Sequence, residues 1–244
     1  MSSKHYVSPY PCDPKEPCYC GGNKPFGKCC GLDSAVREPP QGVIIIPEYL
    51  AANECRRLVR YADKQKGQWL MVLDEKKSSP GRRIEKKDPA RITQQVDMSK
   101  HSNFINDLFK EGLQRHAVPL FGPLDWFEWP YLLRYKPGGK YGAHSDAEQL
   151  EKATGRYYKA QDRDVSMLLY LNDDYSGGEL TFTNLNYTYT PRMGDLVMFP
   201  SGTLFKHRAR TIDSGRKYAL VSWASLRSSP KLFPQASASP RLPL

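Results

Sequence analysis

Val165-Ser-Met-Leu-Leu-Tyr-Leu171, followed by Gly177-Gly-Glu-Leu-Thr-Phe182 and Pro191-Arg-Met-Gly-Asp-Leu-Val-Met-Phe-Pro200, decides the fold. Each is a short apolar or alternating run closed by turn residues, which is the pattern of strands; a helix needs about ten or more periodic residues. Alternation along the first run puts Ser166, Leu168 and Tyr170 on one face. Working outward, Phe127–Tyr135, Glu179–Phe182, Tyr187–Thr190, Asp195–Phe199 and Arg216–Leu226 read as further strands. Gly138-Gly139, Asn172-Asp-Asp174 and Pro200-Ser-Gly202 punctuate them. Upstream, Val43-Ile-Ile-Ile46 is a short strand. Pro47 then opens a helix carrying Cys55, Leu58, Val59 and Ala62 at helical spacing, so Cys55 reads as core. A second helix, about Ser102 to Arg115, presents Ile105, Leu108, Phe109 and Leu113 on one side. Helices first and antiparallel strands afterwards predict an α+β, mainly β layout, with the helices buttressing one face of a sandwich or open barrel.

The chemistry gathers around these strands. Tyr135-Lys-Pro-Gly-Gly-Lys-Tyr-Gly-Ala-His144-Ser-Asp146 sets an imidazole and a carboxylate just after a strand and a glycine turn. An isolated His207 and then Lys217 follow about sixty residues later. Two imidazoles and one carboxylate form a facial triad suited to Fe(II), leaving coordination positions open for a bidentate 2-oxo acid and O₂. A dicarboxylate cosubstrate needs a buried cation at its far end, and a tyrosine hydroxyl can share that carboxylate. Lys217 offers a cation on a candidate strand, where its neighbour Arg216 would point to the opposite face. Trp223 and Trp129 read as core, and Asp195, in a turn before a strand, as structural.

Five of the six cysteines lie within the first 30 residues, where Pro and Gly are frequent and hydrophobic periodicity is weak. Cys18, Cys20, Cys29 and Cys30 offer four thiolates for a closed tetrahedral zinc site, with Cys12 a spare. The polar, basic stretch Asp74–Arg91 reads as a mobile loop, and the Pro- and Ser-containing tail 229–244 as disordered. The formal net charge is +10, with eight Lys or Arg after residue 205 against the single acid Asp213. Such patches dock an acidic partner or solubilise loops. Met1-Ser-Ser-Lys-His-Tyr6 lacks the apolar core of a secretory signal, and no run approaches the roughly 20 apolar residues that span a bilayer. The expectation is a soluble intracellular protein, cytoplasmic or nuclear, without a membrane partner.

Taken in order, the segments from Tyr131 to Trp223, within about 42 to 227, resemble the 2-oxoglutarate/Fe(II)-dependent dioxygenases, in their prolyl 4-hydroxylase-like branch. The segment Pro17–Gly31 resembles the SEC-C zinc motif, with Cys where that family often has a final His. The first resemblance implies a double-stranded β-helix, or jelly roll, with helices on one sheet. It makes His144, Asp146 and His207 the iron ligands, Lys217 and Tyr170 the pair that holds the 5-carboxylate of 2-oxoglutarate, and Tyr135 a neighbour of that cosubstrate. Many relatives carry Arg where this chain has Lys217. The layout expected is a zinc motif over 1–35, the oxygenase domain over 36–228 and the tail. The reaction implied is hydroxylation of a C–H bond, with succinate and CO₂ as coproducts and ascorbate as a stimulant. The branch favours a prolyl residue in a protein or peptide; nucleic acid, a small metabolite, or an inactive zinc-knuckle binding module are the alternatives.

Overall fold

The computed structural model describes residues 13–18, 23–29, 39–73, 85–151, 153–232 and 241–244. In chain order it runs β1 (Ile44–Ile46), α1 (Ala52–Asp63), β2 (Gly67–Trp69), β3 (Met71–Leu73), β4 (Glu85–Lys87), β5 (Arg91–Ile92), β6 (Gln94–Val96) and α2 (Ser102–Gly112). A π-helical turn (Leu113–Ala117) and the short α3 (Val118–Phe121) follow, then β7 (Leu124–Glu128), β8 (Tyr131–Tyr135), β9 (Lys140–His144), β10 (Glu148–Glu151), β11 (Arg156–Lys159) and β12 (Val165–Tyr170). The chain continues with β13 (Ser176–Gly177), β14 (Leu180–Phe182), β15 (Tyr187–Tyr189), β16 (Leu196–Pro200), β17 (His207–Ala209), β18 (Ile212–Ser214), β19 (Lys217–Leu226) and β20 (Arg241–Pro243).

Two sheets dominate. The major sheet has the order β1-β16-β12-β19-β8-β6-β2, with β7 and β20 added at one end of β19; the minor sheet runs β15-β14-β17-β9-β5. One face of the major sheet receives the helices. Cys55, Leu58 and Ala62 of α1 and Ile105 and Phe109 of α2 are buried with Leu132, Leu169, Met198, Tyr218 and Leu220 from the strands. The opposite residues of the same strands face the minor sheet, because side chains alternate along a strand. Each central strand therefore serves the helical core with one set of residues and an inter-sheet cavity with the other.

Several expectations are corrected in detail. The single strand Phe127–Tyr135 is two strands, interrupted at Trp129-Pro130, since proline cannot donate to a ladder. Both pieces pair with β19: β7 with Ala224–Leu226 and β8 with Lys217–Val221. Trp129 at that break is 46% exposed and not core. The first helix starts at Ala52, five residues after Pro47, because Glu48 takes a left-handed conformation (φ 52°) that no helix continues. The flanks of the basic stretch Asp74–Arg91 are ordered as strands, with β3 pairing β4 and β5 pairing β9; residues 74–84 lie outside the described residues. The end of the supposedly disordered tail forms β20 on β7. Asp195 is structural as expected: its carboxylate accepts from the backbone N–H groups of Glu48 and Arg192 and from the Tyr189 hydroxyl.

Phe109 joins α2 to the sheet without a polar partner, so Phe109→Ala is expected to cost about 3–5 kcal/mol through lost burial and the cavity left behind. Urea unfolding of the variant checks it; a loss under about 1 kcal/mol would mean that this helix is not packed as described.

Candidate metal and cosubstrate site

The metal-ligand candidates meet through strand register. β17 pairs antiparallel with β9 so that His207 lies directly opposite His144, and Asp146 follows two residues beyond His144 as the chain leaves the sheet. Sixty-odd residues of separation thus collapse to neighbouring rings whose centroids are 4.4 Å apart. His144 Nε2 is 3.3 Å from Asp146 Oδ1, and His207 Nε2 is 3.6 Å from Asp146 Oδ2. One donor atom from each residue lies within 4.8 Å of the other two, the spacing a single cation can bridge; among the described residues no other such group occurs.

The outer contacts orient these donors. His144 Nδ1 lies 2.9 Å from the Gly142 carbonyl and His207 Nδ1 3.1 Å from that of Phe205. A carbonyl can only accept, so each Nδ1 carries the proton and each Nε2 turns its lone pair inward, the tautomer a metal requires. Ser166 Oγ donates to Asp146 Oδ2 at 2.7 Å and meets Ser201 Oγ at 2.7 Å. Burial by itself would raise the Asp146 pKa, but His207 and His144 outweigh it and hold the carboxyl well below the usual carboxylate range. Burial pushes His207 down to about 4, against the pull of Asp146 in the other direction, so its imidazole is neutral near pH 7. Two imidazoles and one carboxylate are the donor set that suits Fe(II). Tyr141 stacks on His144 with centroids 3.6 Å apart and closes one side.

The cosubstrate candidates lie on the major sheet. Lys217 is directly opposite Tyr135, while Tyr170 is opposite Ala219 and so lies diagonal to Lys217. The ammonium sits 4.9 Å from the centre of the Tyr170 ring and 5.7 Å from that of Tyr135. Lys217 is 2% exposed and donates to the Gly178 carbonyl. Burial pushes its pKa down to about 7, with Glu179 pulling the other way. Among the described residues, the hydroxyls of Tyr170 and Tyr175 are buried without a hydrogen-bond partner. A buried amine beside an orphaned hydroxyl fits an anion, and a carboxylate would satisfy both. Arg216, by contrast, pairs with Asp63 on the surface at 3.0 Å.

One cavity contains all of these groups: His144, Asp146, His207, Lys217, Tyr170 and Tyr135 line it, between apolar walls from Leu133, Leu168, Leu180 and Val221. Trp223, expected as core, is buried yet belongs to this wall. Arg91, Tyr141 and Ser166 were not expected as site residues. Ser166 was legible as sharing a face with Tyr170, but its contact with Asp146 depends on how the two sheets face each other. Among the thiols expected to hold zinc, Cys18 is buried and Cys29 half-buried, whereas Cys20 and Cys30 lie outside the described residues.

Removing the hydroxyl that fixes Asp146 leaves the fold in place but frees the carboxylate to rotate. Ser166→Ala is expected to weaken Fe(II) binding by about 10–100-fold, measured by anaerobic metal titration; unchanged affinity would mean that Ser166 does not orient the ligand.

With the geometry in hand, comparison with known proteins is specific. Residues 130–225 match the 2OG-Fe(II) oxygenase superfamily. A PKHD-type hydroxylase of Stenotrophomonas maltophilia is 32% identical over 127 residues, covering 49% of this chain and 53% of that one. Human prolyl 3-hydroxylase 3 is 42% identical over 89 residues, 33% of this chain and 12% of its own length. The chain spans about half the length, or less, of the curated relatives it matches. In fold it is similar to the viral collagen prolyl hydroxylase of Paramecium Bursaria Chlorella virus-1, solved as a 2OG complex, with a TM-score of 0.53 and 19% identity over 76% of this chain and 97% of that one. No helix of the described residues is long and apolar enough to cross a membrane. The match to the 2OG-Fe(II) oxygenase superfamily over residues 130–225 spans every candidate iron and cosubstrate residue, and the fold similarity extends to prolyl hydroxylase structures.

Proposed function

We propose that this protein is a 2-oxoglutarate- and Fe(II)-dependent dioxygenase that hydroxylates a prolyl residue of a protein or peptide. The observation that carries the reading is the coexistence, in one cavity, of the His144–Asp146–His207 donor set and the buried Lys217 beside the orphaned Tyr170 hydroxyl. In this reading His144, Asp146 and His207 hold the iron. Lys217 and Tyr170 bind the far carboxylate of 2-oxoglutarate, and Tyr135 flanks it. The bound metal supplies the oxygen chemistry: one atom of O₂ enters the substrate C–H bond to give C–OH, the other ends in succinate, and CO₂ leaves. The chain's own contribution is placement. The backbone carbonyls of Gly142 and Phe205 keep the imidazoles facing inward, Ser166 fixes the carboxylate, and the apolar walls keep bulk water from the reacting atoms.

The prolyl preference is supported by the kind of relative that matches, prolyl 3-hydroxylase among them, and by a cleft of about 470 Å³ that adjoins the cavity at Arg91 and is lined by Glu128, Trp129, Tyr131 and Arg163. A cleft of that size holds a few residues of extended peptide. No observation favours nucleic acid. Cys18, Cys20, Cys29 and Cys30 are read as a structural zinc site. The Pro17–Pro25 bridge and the bond from the Cys18 N–H to the Lys24 carbonyl close its turn, while Cys18 and Phe26 are buried in one cluster with Phe182, Phe199 and Phe205 of the roll. The described residues of this segment thus pack against the body of the protein. Elemental analysis finding no zinc in the full chain would remove this assignment.

The main test is an anaerobic Fe(II) and 2-oxoglutarate titration followed by visible absorption. A metal-to-ligand charge-transfer band is expected for wild type, absent in His144→Ala and weakened in Lys217→Ala. Under O₂, a prolyl peptide gains one oxygen atom with succinate formed in equal amount. A folded, iron-loaded wild type without the band would overturn the reaction class; a band without peptide oxidation would overturn only the substrate.

The Lys217 amine adds a pH dependence. Without ligand it is charged below about pH 7 and neutral above. Its carboxylate partner needs the ammonium, so binding above about pH 7 takes up a proton, and the Kd for 2-oxoglutarate is expected to rise by up to about tenfold per pH unit. A Kd that stays flat between about pH 6 and about pH 9 would contradict a neutral buried amine in the free site.

A further inference from the structure

Asp162-Arg163-Asp164 leads into β12 and divides its charges between two sides of the molecule. Arg163 grips Glu128 with two parallel hydrogen bonds, Nε to Oε1 at 2.6 Å and Nη2 to Oε2 at 2.8 Å. Its guanidinium lies 3.7 Å over the ring of Trp223. Trp223 lines the iron cavity and Arg163 lines the adjoining cleft, so this stack stands at the boundary between the two.

The two flanking aspartates are fastened to the C-terminal segment. Asp162 accepts from the Leu232 N–H at 2.7 Å and lies 3.6 Å from the Arg241 guanidinium. Asp164 accepts from Lys159 at 3.1 Å and the Ser229 hydroxyl at 2.8 Å through one oxygen, and from Ser225 and the Leu226 N–H through the other. Lys159 is itself buried and donates onward to Ser229 and the Pro230 carbonyl. Glu128, the far partner of Arg163, ends β7, and Arg241 of β20 is its cross-strand neighbour. Both members of the Arg163–Glu128 pair thus take their backbone support from the same C-terminal residues. Arg241 also stacks 3.9 Å over Trp126, on the strand that carries Glu128.

We propose that Ser229–Leu232 and Arg241–Pro243 form a strap that positions the Arg163–Glu128 pair, and through it Trp223, as the substrate-facing lip of the iron cavity. The proposal rests on the reading that the cleft receives the residues flanking the oxidised one. Asp162, Asp164 and Arg241 act through Arg163 and touch no reacting atom. A bidentate arginine pair held on both sides has one geometry, and loosening either support lets the planar guanidinium leave the indole face.

The test uses the full-length chain, Arg241→Gln, Asp162→Asn, and a chain lacking residues 241–244. The Arg163 Nε–H is followed by nitrogen-15 NMR and identified by its loss in Arg163→Lys. The strap variants are expected to exchange this proton at least about tenfold faster than wild type. They should keep the wild-type charge-transfer band with Fe(II) and 2-oxoglutarate. With a proline decamer as probe, KM should rise about tenfold at nearly unchanged kcat, and combining a strap change with Arg163→Lys should add little to either alone. Unchanged proton exchange, or faster exchange with unchanged KM, overturns the proposal. So does loss of the charge-transfer band in all three strap variants, which would make the strap a general element of the fold. If wild type leaves the decamer unmodified, the prolyl reading fails, and the exchange rates alone decide the strap.

Discussion

The pairing of His207 with His144 across two short antiparallel strands is the constraint on which the rest of the molecule depends. It places two imidazoles opposite one another, and a buried carboxylate beside them is tolerable only because they offset its desolvation. Neighbouring hydrogen bonds are arranged to keep that arrangement single-valued. Backbone carbonyls two residues before each histidine take the Nδ1 protons, and Ser166 reaches across from the other sheet to take the aspartate. A one-residue slip of β17 would turn His207 to the far face and take from Asp146 the largest of the contacts that offset its burial.

The major sheet works under a second constraint, that of serving two environments with one set of strands. In β19, Tyr218 and Leu220 belong to the helical core, while Lys217, Ala219, Val221 and Trp223 line the cavity. β12 divides in the same way, with Leu169 toward the helices and Ser166, Leu168 and Tyr170 toward the cavity. A near-continuous apolar strand therefore carries a lysine in its inward row, and the cost of burying that ammonium appears as its depressed pKa.

The C-terminal residues extend the same logic to the rim. Proline at 130 breaks the strand beside β19 into β7 and β8, which leaves Glu128 at a strand end, free to face Arg163. β20 then covers the edge that β7 would otherwise expose, and the aspartates around Arg163 are tied to the same segment. At the other end of the chain, burial of Cys18 and Phe26 with Phe182, Phe199 and Phe205 ties the described N-terminal residues to the same body.

Much of this was legible in the sequence because it is local. The apolar runs of β12, β16 and β19 declare themselves by length and by turn residues at their ends, and Cys55, Ala62, Ile105 and Phe109 by helical spacing. His144, Asp146, His207 and Lys217 stand out because their side chains have little reason to sit among strands unless they hold something. The sequence concealed whatever depends on partners distant in the chain. β2, β5 and β9 are too short or too polar to read as strands and exist because neighbours pair with them. Trp223 looked like core because burial and cavity lining share the same hydrophobic signature. Tyr141, Arg91 and Ser166 join the site, and Arg241 ends as a strand residue, only because two sheets close over one another. By itself the sequence determined the ligand types and the strands that carry them, since residue chemistry and periodicity are properties of neighbours. Which oxygen of Asp146 meets which imidazole, which hydroxyl is left without a partner beside Lys217, and which residues frame the cleft were decided by tertiary structure, because register and sheet packing bring together groups whose separation along the chain carries no signal of their contact.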